Sequence, residues 1–465
     1  MTKAKERPHI GDRPQGGGVQ HFWMKKGATQ VPRIDRAQGI RIWDTDGNCY
    51  IDVTSGPCAV NLGHGNRRVL AAMREQAERA CFAYPAYFES EANTRLSDLL
   101  AAHAGPGFDR AFFVSSGTEA VEKSVELARM HALARGQGSR FKVISRMPSY
   151  HGSTLGALAL TGDPVSTGRM RPMLREMPKI PAPLTYRPPD GMDGAAYAQQ
   201  CAERLRETIE SEGPETVLAF IMEPIGGLSA AATYAPDTYY ERVREICDAY
   251  DVLLIYDEVI AGAGRTGRFL AAHWWPAARP DLVVLAKGLG SGYYPLACFL
   301  APSAMVEAVA DAGGFYYGHT YKSSPLGCAV GLAVLEETIG RNLPANAERV
   351  GAHLRARLET LMQESAIIGE VRGKGLLNAI ELVADKATKA MLPRTRDVPK
   401  EISDRALAEG LLLYARRTAG GQFGDWLMMT PPLIATTEDV DEIVDRLSRV
   451  LSAYERELRL ANCLP

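Results

Sequence analysis

Between Arg110 and Ala301 the chain repeats one pattern: a short, nearly continuous apolar run, then a longer stretch with apolar residues at helical spacing. The runs predict strands at Arg110–Val114, Phe141–Ser145, Val217–Met222, Val252–Asp257, Leu282–Leu285 and Ala297–Ala301. Helices are expected between several of them, at Thr118–Arg135, Ala195–Glu212 and Pro236–Tyr250. Strands apolar on both faces need cover on both sides, so the alternation restricts this region to an α/β fold with a mostly parallel sheet between helices. Residues 66–325 are expected to form this large domain.

The flanks differ. Gly39–Val53 alternates around Asp46-Gly47-Asn48 and reads as a hairpin, followed by helices at Arg67–Ala80 and Glu91–Ala104. After Pro325 long amphipathic helices take over, at Leu326–Ile339, Asn346–Ser365 and Thr437–Ala461, with a few strands between them. A lone hairpin is marginal and needs a partner surface, so residues 21–65 are expected to join 326–465 in a smaller α+β domain. Residues 1–20, polar and rich in Gly and Pro, read as a flexible arm.

Composition narrows the function. With 46% hydrophobic and 23% charged residues over 465 positions, the chain has material for a large core. Lys and Arg number 53 against 55 acids, with no basic block, which argues against nucleic acid and for small-molecule partners. No apolar run approaches the ~20 residues of a membrane span, and the N-terminus lacks a secretory core. The eight cysteines are scattered without a Cys-x-x-Cys pair, and no His cluster has metal-ligand spacing. No metal is expected, and a reduced cytoplasm fits best.

Open α/β sheets place ligands at the carboxyl ends of their strands, and five ends carry unusual residues. Ser116 and Glu119 form a Ser-x-x-Glu capping box, and Gly117 and Thr118 open a helix whose free N–H groups suit a phosphate; an ordinary capped helix has the same signature. Tyr150-His151-Gly152 sets an aromatic ring and an imidazole beside a glycine. Glu223 closes a strongly apolar strand, where a lone buried charge is costly. Asp257 ends another, and a buried aspartate calls for a cation such as a protonated pyridine nitrogen. Lys287 follows Val284-Leu285-Ala286 directly into a glycine-rich loop, where desolvation makes an amine nucleophilic; a lysine snorkelling to the surface is the plainer alternative. Gly262-Ala263-Gly264-Arg265-Thr266-Gly267 matches a dinucleotide fingerprint, but the segment after it is too short for a crossover helix, and the next strand leads to a lysine, not an acid.

Together SSGTEAVE (115–122), YHG (150–152), IMEP (221–224), LLIYDEVIAGAGRTG (253–267), LAKGLGSGYYPLA (285–297) and HTYKSSPLGCA (319–329) resemble the class III aminotransferases, pyridoxal phosphate (PLP) enzymes of fold type I, over about residues 20–460. The resemblance implies that Lys287 carries PLP as a Schiff base and moves the substrate proton, and that Asp257 keeps the ring nitrogen protonated. It implies further that Tyr150 and Val259 cover the ring faces, that Ser116, Gly117 and Thr118 hold the phosphate, that His151 lines the cofactor site, and that Glu223 supports the Asp257 region. Thr320 would reach the phosphate from a neighbouring subunit, giving a homodimer or a tetramer with sites at the interface. Trp23 and Arg417 would contact substrate, Arg417 gripping the acceptor carboxylate from a loop made mobile by Gly420 and Gly421, with Arg416 as its competitor. The implied reaction is a ping-pong transfer from an ω-amine or ω-amino acid to pyruvate or 2-oxoglutarate; a PLP-dependent lyase or aminomutase shares the same lysine and aspartate. Three departures bear on substrate. Leu228 stands where glutamate-using members carry a second acid, Tyr321-Lys322-Ser323-Ser324 replaces a small turn, and Arg416–Gly424 is longer than usual.

Overall fold

The computed structural model describes residues 31–189, 191–315 and 318–464, so Trp23 lies outside the described residues. A seven-stranded sheet runs in the order Arg110–Val114, Ala297–Ala301, Leu282–Leu285, Leu253–Asp257, Val217–Met222, Lys142–Met147, Lys179–Pro181. The last five strands are parallel to one another. Ala297–Ala301 runs antiparallel to both of its neighbours. Its reversal follows from the short link before it, which holds only the 3-10 turn Lys287–Leu289, whereas a parallel crossover needs a dozen or more residues.

Each central strand is apolar on both faces. Phe220, Leu254 and Val283 enter one buried cluster with Leu205, Ile209 and Val243 of the helices Gly194–Glu212 and Asp237–Ala249. The adjacent Ile221, Ile255 and Val284 enter another with Val121, Leu127 and Ala128 of the helix Gly117–Ala134. This two-sided burial gathers Val114, Met222, Asp257 and Leu285 at one edge of the sheet, and Ala297, opposite Val114, starts from that edge.

A third cluster joins the chain ends, packing Ile51, Val53 and Val69 with Val350, Leu354, Ile380, Leu427 and Leu447. The expected hairpin is present as Arg41–Asp44 and Cys49–Asp52, extended by Ile34–Gln38 on one side and by the parallel strand Leu411–Leu412 on the other. A second sheet, Ile368–Lys374, Leu377–Leu382, Asp425–Met429 and Tyr414–Arg417, is antiparallel throughout. Among the described residues, no helix is long and apolar enough to cross a membrane.

Candidate active site

The carboxyl edge of the large sheet opens into a cavity of about 410 Å³. Nine expected site residues line it: Ser116, Gly117, Thr118, Tyr150, His151, Glu223, Asp257, Val259 and Lys287. They come from five separate stretches of chain, brought together because the strands that carry them all end at the same edge of the sheet, four of them within the parallel set and Arg110–Val114 beyond the antiparallel Ala297–Ala301.

Lys287 sits two residues past the strand Leu282–Leu285 and adopts φ 45°, a left-handed conformation that costs a non-glycine residue about 1 kcal/mol. The glycines around it allow the chain to approach closely: a Cβ at Gly288 would lie 2.2 Å from Asn61 Nδ2. The lysine is partly buried against the cavity, and its amine makes no hydrogen bond among the described residues. Burial holds its pKa below that of a free lysine, against the upward pull of Cys58, Asp257 and Glu223.

Asp257, 4% exposed, closes the neighbouring strand. Its Oδ2 lies 2.8 Å from His151 Nδ1 and its Oδ1 accepts the Val259 N–H at 3.1 Å. A proton on Nδ1 suits an ionised aspartate, and it leaves His151 Nε2 buried without a partner among the described residues. No lysine or arginine pairs with Asp257 among the described residues. A carboxylate buried this deeply is complementary to a cationic ring nitrogen.

The helix Gly117–Ala134 starts at the other end of the cavity. The capping box is formed as expected, with Ser116 Oγ accepting from Glu119 N at 3.3 Å and Glu119 accepting from Ser115 and Ser116 N–H at 2.8 and 3.1 Å. The helix begins one residue earlier than expected. The N–H groups of Gly117 and Thr118 are left without a partner among the described residues, which is the arrangement an anion needs. A Cβ at Gly117 would stand 3.0 Å from Val259, a tight contact that glycine avoids where the helix start meets the valine. The cavity therefore offers an anion site, a desolvated amine and a buried carboxylate, which fits the phosphate, aldehyde and pyridine nitrogen of PLP.

Glu223 lines the cavity with Asp257 without bonding to it: its Oε2 accepts from Tyr150 N at 3.1 Å and Ser229 Oγ at 3.2 Å, and its Oε1 from Gly227 N at 2.8 Å, which fixes the Tyr150 wall and the 227–229 loop. The expected loop placement of Arg417 is corrected. Arg417 is not on a free loop but ends the strand Tyr414–Arg417, where Asp425 takes its Nε and Nη2 at 2.7 and 2.6 Å. Arg416, on the opposite face, donates to Leu228 O at 2.9 Å and pairs with the buried Asp163. Thr320 is exposed and does not line its own chain's cavity. Sequence reasoning missed Ala59, Ile260 and Tyr294 in the cavity wall. Tyr294 sat inside the segment LAKGLGSGYYPLA and could have been read from it; Ala59 and Ile260 carry no polar chemistry to announce them.

Residues 24–451 match the family described as Aminotransferase class-III. The chain is 35% identical to the diaminobutyrate–2-oxoglutarate transaminase of Halomonas elongata, covering 90% of each chain. It is 33% identical to the taurine–pyruvate aminotransferase of Bilophila wadsworthia, over 91% of this chain and 93% of that one. Among solved structures, the ω-transaminase of Pseudomonas jessenii in complex with PMP superposes with a TM-score of 0.85 at 31% identity, covering 92% and 93%.

Proposed function

The chain belongs to the class III aminotransferases, PLP-dependent transaminases of fold type I, and on that premise we propose that it moves an amino group from an ω-amine or ω-amino acid to pyruvate or 2-oxoglutarate. The observation that carries this reading is the convergence of Lys287, Asp257 and the free N–H groups of Gly117 and Thr118 on one cavity. PLP, when bound, supplies an aldehyde that condenses with amines and a ring that accepts the electron pair left on the substrate carbon.

The protein's residues do the rest. Gly117 and Thr118 N–H groups, with Ser116 behind them, bind the phosphate at the helix start. Asp257 holds a proton on the ring nitrogen, and His151 keeps that carboxylate aligned. Tyr150 and Val259 cover the two ring faces. Lys287 Nζ holds the cofactor between turnovers and carries the proton from the substrate carbon, a double role favoured where burial lowers the amine's pKa. One cavity must serve both substrates, so the carbonyl product leaves before the keto acid enters, in a ping-pong order.

Of the two arginines, Arg416 is the better anchor for the acceptor carboxylate. Strand alternation puts it on the face of Tyr414, whose electrostatic neighbours include Tyr150 and Cys58. If Arg416 swings away, Asp163 keeps Val165 N–H at 3.1 Å and Ser166 Oγ at 2.7 Å as donors. Release of Arg417 would instead strand Asp425, whose side chain is fully buried and has no other donor among the described residues. The substrate role of Trp23 stands as an expectation of the resemblance alone.

A homodimer, or a tetramer built from it, is supported by the exposed aromatic surface of Phe82, Tyr84, Tyr87 and Phe88, where Tyr321, next to Thr320, meets Phe82 edge-on at 6.0 Å. Thr320 would reach the partner's phosphate site from this surface. The shared apolar core supports reading residues 21–65 and 326–465 as the small domain beside a large domain of 66–325. The free cysteines among the described residues are compatible with the cytoplasm.

The test is a panel of ω-amines, taurine and diaminobutyrate first, each with pyruvate or 2-oxoglutarate. Amine and keto acid should disappear in equal amounts. Amine turnover without keto acid consumption would replace the transaminase with a lyase or aminomutase.

A further inference from the structure

Arg265 is fully buried, and among the described residues it has no carboxylate within ion-pair distance. Its bonds go to neutral oxygens: Nη1 to Leu376 O at 3.1 Å and Pro431 O at 2.5 Å, Nη2 to Asn61 Oδ1 at 2.7 Å and Ser55 Oγ at 3.5 Å. Nε has no partner. Burial lowers its pKa to about 10, so it stays charged at neutral pH. A buried cation with no ion-pair partner at contact distance, only the longer-range pull of Cys58 and Asp52, is costly, and a fold that keeps one invites a reason.

Asn61 supplies it. The residue is 1% exposed; its Oδ1 takes Arg265, its Nδ2 donates to Ala263 O at 3.1 Å, and its amide lies against Gly288, the residue after Lys287. The same segment grips the Lys287 turn twice more, through Leu62 N to Ser291 Oγ at 2.8 Å and Tyr293 OH to Gly63 O at 2.8 Å. A left-handed lysine has to be held by its surroundings, and these contacts hold it. The charged and titratable groups facing Lys287 are Asp257, Glu223 and Cys58, which favour its protonated form, and Arg265, which opposes them.

We propose that Asn61 and Arg265 are positioning residues for Lys287: Asn61 braces its turn through Gly288, and Arg265, bonded to Asn61, adds a positive charge to the surroundings of that turn. The proposal rests on Lys287 being the cofactor lysine. It extends that reading by making the chain-end segment, which supplies Asn61, Leu376 and Pro431, part of the lysine's electrostatic environment.

Asn61→Asp tests it in the holoenzyme, because an aspartate keeps the bond to Arg265 while cancelling its charge. The pH midpoint of the bound cofactor's visible absorbance, which reports protonation at the Lys287 nitrogen, should rise by about one unit. A packing role alone would lower the melting temperature and leave that midpoint at the wild-type value, and this result overturns the charge role. Asn61→Ala, which adds no charge, should lose bound cofactor on dilution several-fold faster than wild type; equal retention overturns the brace and serves if the aspartate variant does not fold. Wild-type absorbance that survives Lys287→Ala would remove the underlying reading, and this proposal with it.

Discussion

Asp257 is held by a histidine and one backbone N–H, so in the proposed reading it would offer the cofactor a negative charge. Asp257→Asn keeps the shape and loses the charge. Turnover at saturating PLP should fall by roughly a hundredfold, the scale of a lost charged hydrogen bond of up to ~3 kcal/mol, while the melting temperature moves little. Equal turnover would make Asp257 a structural residue. Its neighbour Glu258 behaves differently. It is 1% exposed and caps the turn after it through Ala271 N–H at 2.6 Å and Ala272 N–H at 2.8 Å, yet burial pushes its pKa up to about 7 from 4.5. A raised folded-state pKa means that the fold binds a proton more tightly than the unfolded chain. Its contribution is therefore complete below pH 4.5 and lost as pH rises through 7, by about 3 kcal/mol. Chemical denaturation at several pH values checks this: Glu258→Gln should flatten the slope between pH 4.5 and 7, and an unchanged slope would assign it to other groups.

At the level of elements, the strand Tyr414–Arg417 decides between two neighbouring arginines, since period-two alternation turns them to opposite faces. Arg416→Ala should leave the amine half-reaction near normal and weaken the keto acid half-reaction by roughly 1.5–3 kcal/mol. Arg417→Ala should instead lower stability by about 3 kcal/mol or more, because it leaves Asp425 buried and unpaired. Separate measurement of the two half-reactions and of unfolding distinguishes them; reversed results would return the anchor to Arg417. Sequence could not settle this pair, because strand phase there is set by pairing with Asp425–Met429 across the same turn whose glycines, Gly420 and Gly421, suggested a loop. Where a strand is apolar on both faces, as Val217–Met222 is, its limits are legible residue by residue. The edge strand Lys179–Pro181, three residues long and containing a proline, offers no such signal. The reversed sense of Ala297–Ala301 is set by a short connection and not by the strand's own residues. Chemistry at strand ends was legible for Lys287, Asp257 and the capping box, because charge after an apolar run is unusual. The contacts of Asn61 and Glu223 were hidden, because each is made only when distant segments meet.

At the scale of the whole molecule, the proposed dimer would set Thr320, beside the exposed aromatic face, at the phosphate site of a second copy of the chain. Thr320→Ala and Lys287→Ala subunits, each impaired alone, should form mixed dimers with one doubly damaged and one intact site. Random exchange of equal amounts then restores about a quarter of the sites. Proven exchange without recovery would confine Thr320 to its own subunit. The account turns most on Lys287, since the cavity, the strained turn and the buried aspartate are all arranged around that amine. Borohydride reduction of the purified holoenzyme, followed by peptide mass spectrometry, asks the question directly. The account predicts that the reduced PLP adduct is carried on the peptide containing Lys287; an adduct on a different lysine, or a fully active enzyme with none, would contradict it.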